Sequence, residues 1–215
     1  MRKNFNEKLK KLKNELLKMG CLVEDSINRS IQALKEQDLE LAEKVIEEDD
    51  QIDEYIVKIE DMCTKLIALQ QPVARDLRTI IAISKIATDL ERMGDHASNI
   101  AHMVMEIGKE ELIKPLIDIP RMTKIVNERL QAGLQAFVEL DIELAKKVAE
   151  QDEEVDILDE QILRELITFM INDPGTIEQA IFLLFVSRFL ERIGDHSTNI
   201  CERVLYMATG EREEY

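Results

Sequence analysis

Acidic side chains recur at helical spacing in this chain. Glu91, Asp95 and Asn99 stand four residues apart, and Glu191, Asp195 and Asn199 repeat the series. Upstream, Asp49 with Asp53 and Asp152 with Asp156 make two more acidic steps of four. Side chains four apart share one helix face, and like charges there repel by roughly 0.2–0.5 kcal/mol per pair. Such faces need a cation. Carboxylates with an amide oxygen form a hard, oxygen-only donor set suited to Mg²⁺, Ca²⁺, Mn²⁺ or iron. If the two helices of one unit face each other, four carboxylates and an amide gather, enough for more than one ion. The alternative is a solvated acidic face, with Arg92 and Arg192 supplying intrahelical ion pairs.

These residues sit in a repeat. DLERMGDHASNIA (89–101) returns as FLERIGDHSTNIC (189–201), and DLELAEKVIEEDDQID (38–53) as DIELAKKVAEQDEEVD (141–156). Eight of thirteen and nine of sixteen positions are identical, so the chain reads as two copies of one unit of about 100 residues.

Composition bounds the class. Charged residues make up 33% and aromatics 4%, with no Trp, seven Gly and four Pro. That profile predicts helices around an aliphatic core. A formal net charge of −16 argues against nucleic acid as a partner and favours cations or basic surfaces. Cys21, Cys63 and Cys201 form no C-x-x-C pair, so a disulfide framework or zinc-thiolate site is not expected and a reducing cytosol is. There is no apolar run of membrane-spanning length, and MRKNFNEKLKK is not a secretory signal.

Gly and Pro punctuate six helical stretches, near 4–35, 38–70, 74–107, 119–138, 141–171 and 176–208. Asp38 and Asp141 are predicted N-caps, and Gly108 and Gly210 predicted C′ residues. The second helix carries a seam of Val45, Ile52, Ile56, Ile59, Cys63 and Leu66, broken at Asp49. Its repeat runs Val148, Val155, Ile162, Leu166 and Phe169, broken at Asp152 and Asp159. A 3.5-residue apolar period implies near-parallel helix packing. The expected fold is all-α: two tandem, pseudo-twofold-related three-helix bundles, residues 1–108 and 119–215, joined by a linker at 109–118. One six-helix solenoid is the other arrangement.

Gly94 and Gly194 lie inside helices, at about 1 kcal/mol relative to Ala each; close helix packing is the preferred explanation over room for a ligand. His96 and His196 follow the acids directly and point about 100° away from them, which predicts interface or solvent roles rather than ligation. A ferritin-like di-iron site wants Glu-x-x-His, and here the His falls five residues after Glu91. Neither a phosphate-binding loop nor a Ser-His-Asp set is recognisable, so no enzyme is expected. The first helix is basic and amphipathic, with Phe5, Leu9, Leu12, Leu16 and Leu17 among its lysines. Its stripe reads as core rather than as a membrane-binding face.

The duplicated Leu-Glu-Arg-x-Gly-Asp-His with Asn-Ile following resembles the PhoU family. So does the stretch Pro72, Ala74, Asp76, Leu77, Arg78. The resemblance implies a cytoplasmic, non-enzymatic negative regulator of phosphate uptake and of the phosphate-starvation response. Its implied partners are the ATPase subunit of a phosphate ABC transporter and a sensor histidine kinase, with the membrane reached only through partners; exposed seams on the helices add the expectation of a homodimer. The resemblance also implies multinuclear divalent metal, iron or else Mg, Mn or Zn, on Asp49, Asp53, Glu91, Asp95, Asn99, Asp152, Asp156, Glu191, Asp195 and Asn199. Asp76 and Arg78 become partner contacts. The second copy departs from the pattern: Thr176 and Glu178 replace Asp76 and Arg78, and Phe189 replaces Asp89. The two copies are therefore expected to differ in partner contacts. A metal-dependent enzyme and a purely structural bundle are the rival readings.

Overall fold

A computed structural model of the chain describes residues 2–150 and 153–211. The helices are α1 (Arg2–Glu36), α2 (Leu39–Gln70), α3 (Arg75–Ile107), α4 (Asp118–Glu139), α5 (Ile142–Ala149), α6 (Glu153–Asn172) and α7 (Ile177–Thr209). The stretch expected as one helix over 141–171 thus appears as α5 and α6, flanking residues outside the description. The fold is all-α and six long helical stretches carry it, as the repeat predicts.

Local chemistry sets the ends. Asp38 Oδ1 accepts from the Leu41 N–H and Asp141 Oδ1 from the Leu144 N–H, each at 3.0 Å. Gly108 and Gly210 close α3 and α7 with φ of 65° and 83°, angles that cost glycine little. Before α7, Asp-Pro-Gly turns the chain through a 3₁₀ segment, Pro174–Thr176, with Asp173 Oδ1 accepting from the Gly175 N–H at 2.9 Å. The third helix starts at Arg75, one residue later than its expected start, because Ala74 holds φ 47° and ψ −118°.

Packing follows the apolar stripes. α1, α2 and α3 pack on one another, and α4, α5 and α6 pack on α7. The copies join chiefly through α3 against α7, with α1 against α4 beside them. Hence α3 is buried along nearly its whole length, from Ile80, Ile83 and Ile86 through Leu90, Met93 and Ala97 to Val104. The stripe of α1 is core, as its pattern predicts: Leu12 and Leu16 are fully buried.

Cross-copy pairs display the pseudo-twofold. Position 24 corresponds to 127 and 28 to 131, an offset of 103. Asn127 donates to Asn28 at 2.9 Å and Gln131 to Glu24 at 2.6 Å, so the pseudo-twofold carries one pair of positions onto the other. The equivalent rings of His96 and His196 stack at 5.8 Å.

Candidate functional site

Four carboxylates of the first copy lie on facing stretches of α2 and α3. Gly94 makes this approach close. A Cβ at Gly94 would stand 2.8 Å from Ile52 Cδ1 and 3.4 Å from Asp49 Oδ1. Close packing therefore explains this glycine, and it sets the Asp49 carboxylate against α3. Asp49 and Glu91 are half-buried, whereas Asp53 and Asp95 are exposed, so one side of the cluster faces water.

The cluster is electrostatically strained. Burial first, then the charge of Asp95, pushes the Asp49 carboxyl up to about 6; a hydrogen bond from Ser98 opposes this, and Asp53 and Asp50 add to it. Glu91 is raised by burial and then by Asp95, Asp53 and Asp49, with Arg92 opposing. Asp95 is raised by burial and by Asp53, again against Arg92. All four acids therefore act on one another.

A pH dependence follows. The folded state holds the Asp49 proton more tightly than the unfolded chain does. Its contribution to stability is complete below the ordinary carboxylate range and is lost as pH rises through about 6. Metal-free protein should lose about 1–2 kcal/mol from this group across that window, less than the full shift implies because one side of Asp49 faces water. Urea melts of wild type and Asp49→Asn at pH 4 and pH 7 check it: the difference between the two proteins should change in favour of the variant at pH 7.

The glycines differ in space. A Cβ at Gly194 would meet Val155 Cγ1 at 3.4 Å and Arg129 Nη1 at 3.5 Å, ordinary contacts. Gly194→Ala should gain about 1 kcal/mol of helix propensity. Gly94→Ala should lose most of that gain against Ile52, and paired thermal melts will separate them.

The second copy is built differently. Burial and then Asp195 raise Glu191, Arg188 lowers it, and Asp159 and Asp156 add to the rise. Arg188 Nη1 lies 3.2 Å from both Asp159 Oδ2 and Glu191 Oε1. The Ser187 hydroxyl donates to Asp159 Oδ1 at 2.6 Å. Asp152 lies outside the described residues. Among those described, no three His, Cys, Asp or Glu side chains already stand in metal-ligating geometry.

Between the copies lies a polar cluster that periodicity alone would not reveal. Asp89 is buried, at 6% exposure. Its Oδ1 accepts from His196 Nδ1 at 3.0 Å and from the Asn199 amide at 3.4 Å. Across the axis, His96 stacks on Phe189 at 5.7 Å instead. The Asp89-to-Phe189 difference, expected to alter partner contacts, thus operates inside the molecule. Burial, then His196, Arg192 and Arg92, lower His96 to about 4, so its ring is neutral at physiological pH. Both histidines serve the interface, as their register predicts, and the Asn199 amide N–H is turned toward Asp89.

Asp76 is exposed at the start of α3. Arg78 is half-buried and lays its guanidinium on the last turn of α7, with Cζ 3.3 Å from where a Gly210 Cβ would stand. It therefore bridges the copies. Cys63 and Cys201 are free and buried, and burial pushes both thiols up to about 12. Among the described residues no helix is long and apolar enough to cross a membrane.

The PhoU domain family model matches residues 16–104 and again 119–204. The chain belongs to the PhoU family. It is 44% identical over 209 residues to the phosphate-specific transport system accessory protein PhoU homolog of Aquifex aeolicus, covering 97% of this chain and 94% of that protein. The crystal structure of PhoU from Pseudomonas aeruginosa superposes with a TM-score of 0.92 at 39% identity, covering 96% of this chain and all of that one. The phosphate transport system regulatory protein PhoU from Streptococcus pneumoniae superposes at 0.91 with 33% identity, over 98% of this chain. The two PhoU repeats correspond to the two helical units described above. In the first, the donor set of Asp49, Asp53, Glu91 and Asp95 is all oxygen, mutually repelling and open to water, which fits a hard divalent cation.

Proposed function

We propose that this chain is a cytoplasmic accessory protein that represses phosphate uptake and the phosphate-starvation response, linking a phosphate ABC transporter to a sensor histidine kinase. What carries the reading is the match along nearly the whole chain to a phosphate-specific transport system accessory protein. The architecture suits an adaptor: rigid bundles with an acidic face and a net charge of −16 that favours basic partner surfaces. Buried cysteine thiols with raised pKa values are unreactive, which supports a non-enzymatic role for them.

The metal in this reading is a divalent cation held by the α2–α3 carboxylates Asp49, Asp53, Glu91 and Asp95. Bound there, it would supply positive charge that fixes the cluster. Its oxygen ligands would come from these four side chains, two exposed and two half-buried. A homodimer completes the reading, and light scattering on the purified protein tests that part.

Affinity purification of the tagged chain from phosphate-replete cells tests the adaptor role. The transporter ATPase and the kinase should co-purify. Recovery of neither, with the tagged chain still restoring repression, would leave the adaptor mechanism without support.

A further inference from the structure

Apolar side chains line the outside of the hairpin made by α6 and α7. Leu163, Ile167 and Ile171 of α6 are 38%, 42% and 75% exposed, and Ile177, Ile181 and Phe185 of α7 are 42%, 39% and 49% exposed. Each trio steps by four and so keeps to one helix face. The two faces share a side. Gln161 donates to Asp118 and Lys114 to Glu165, on the flank of α6 where α4 begins. Leu163 and Ile167 follow Gln161 and Glu165 by two residues, about 160° around the helix, on the flank toward α7. Ile181 and Phe185 stand two residues to either side of the fully buried Leu183, about 160° from it, and so look outward.

The fold does not require this chemistry. Offsets of 103 and 100 make Glu60, Thr64 and Ala68 the first-copy counterparts of the α6 trio, and Leu77, Ile81 and Lys85 those of the α7 trio. All of these but Leu77 are exposed as well. The same positions thus meet water in both copies, yet only the second makes all six large and apolar. Together the six leave on the order of 500 Å² of apolar surface in water, as much as the largest patch of a typical monomer. Charge selects the occupant. α6 and α7 hold ten acids and four arginines, with no lysine. The arginines next to the face in sequence are committed, Arg164 to Glu160 at 2.6 Å and Arg188 to Asp159 and Glu191 at 3.2 Å each. A second copy would set one acidic surplus against another, and an anionic lipid surface would be repelled. A cationic partner is attracted.

We propose that this face docks a basic amphipathic helix of a partner protein, its apolar stripe on the six side chains and its cationic flanks toward the acids of α6 and α7. Such helices are held through apolar anchors at i, i+3 or i+4, and i+7, a spacing that two rows stepping by four can receive. The proposal rests on the adaptor reading and adds the surface and the kind of segment it takes.

The experiment titrates the full chain into a fluorescent amphipathic Lys/Leu helix and into its Glu/Leu counterpart, read by anisotropy. The Lys/Leu helix should bind and the Glu/Leu helix should not. Ile167→Ser/Ile181→Ser/Phe185→Ser leaves the charge unchanged and should weaken binding about tenfold or more, as truncated apolar anchors do. Ile171→Lys, at the most exposed of the six positions, should weaken it without touching the core. Leu69→Ser/Ile81→Ser, on the first copy, should bind as wild type does. Equal binding by the triple variant, or preference for the Glu/Leu helix, overturns the proposal. So does a wild-type dimer that the triple variant breaks, read by ultracentrifugation, or flotation with phosphatidylglycerol vesicles that the variant abolishes. Affinity purification separates the two readings. If wild type and the triple variant recover the transporter ATPase and the kinase equally, the docking face falls and the adaptor role stands; if wild type recovers neither, both fall.

Discussion

Phe137→Ala lowers the unfolding free energy by about 3–5 kcal/mol. Phe137 is the largest fully buried side chain among the described residues. It stands near the end of α4, the helix that packs on both α7 and α1. The Lys13 ammonium of α1 lies 5.3 Å from its ring centroid, so one ring serves the second bundle and the contact between copies. Burial, and then Arg75, lower the Lys13 pKa, which places its amine in a drier setting where a ring face counts for more. Truncation removes the ring and leaves a cavity that long, capped helices cannot close. The first-copy counterpart is Leu34, also buried, so Phe137→Leu imposes the symmetric solution and should lose far less. Urea melts check both, and a loss below about 1 kcal/mol for the alanine variant contradicts this view of the junction.

Asp89→Ala costs about 1–3 kcal/mol, because it leaves two half-buried donors at the junction of the copies without their acceptor. His196 Nδ1 and the Asn199 amide both point at Asp89 Oδ1. Asp89→Asn keeps an acceptor in place and should recover much of the loss. A double-mutant cycle with His196→Ala isolates the pair, and coupling well above zero is expected between residues in direct contact. Additive losses would mean that the contact does not hold the copies together.

The repeat made most of the fold legible. Identical stretches at offsets of 100 and 103 gave two units, and the seam through Val45, Ile52 and Ile59 gave the packing face of α2. The caps Asp38 and Asp141 were legible because a side-chain oxygen there meets free N–H groups of the next turn. The acidic cluster was legible too, since Asp49 interrupts the seam at a register that brings it to α3. What lay hidden depends on contacts across copies. Asp89 sits on α3 among apolar residues, and only the pairing of α3 with α7 puts His196 opposite it. Arg129 carries no sequence signal of burial; its burial follows from α4 lying against α7. Arg188 was visible three residues before Glu191, yet its second acid, Asp159, comes from another helix. Ala74 gave no warning of its backbone angles, since alanine ordinarily favours the helix.

The central claim is repression of the phosphate-starvation response. Its most direct test is a phosphate-starvation promoter fused to a reporter, in cells deleted for this gene and grown with ample phosphate. Expression should be high in the deletion strain and return to the repressed level when the wild-type chain is restored. Reporter output that stays low without the chain would contradict the account.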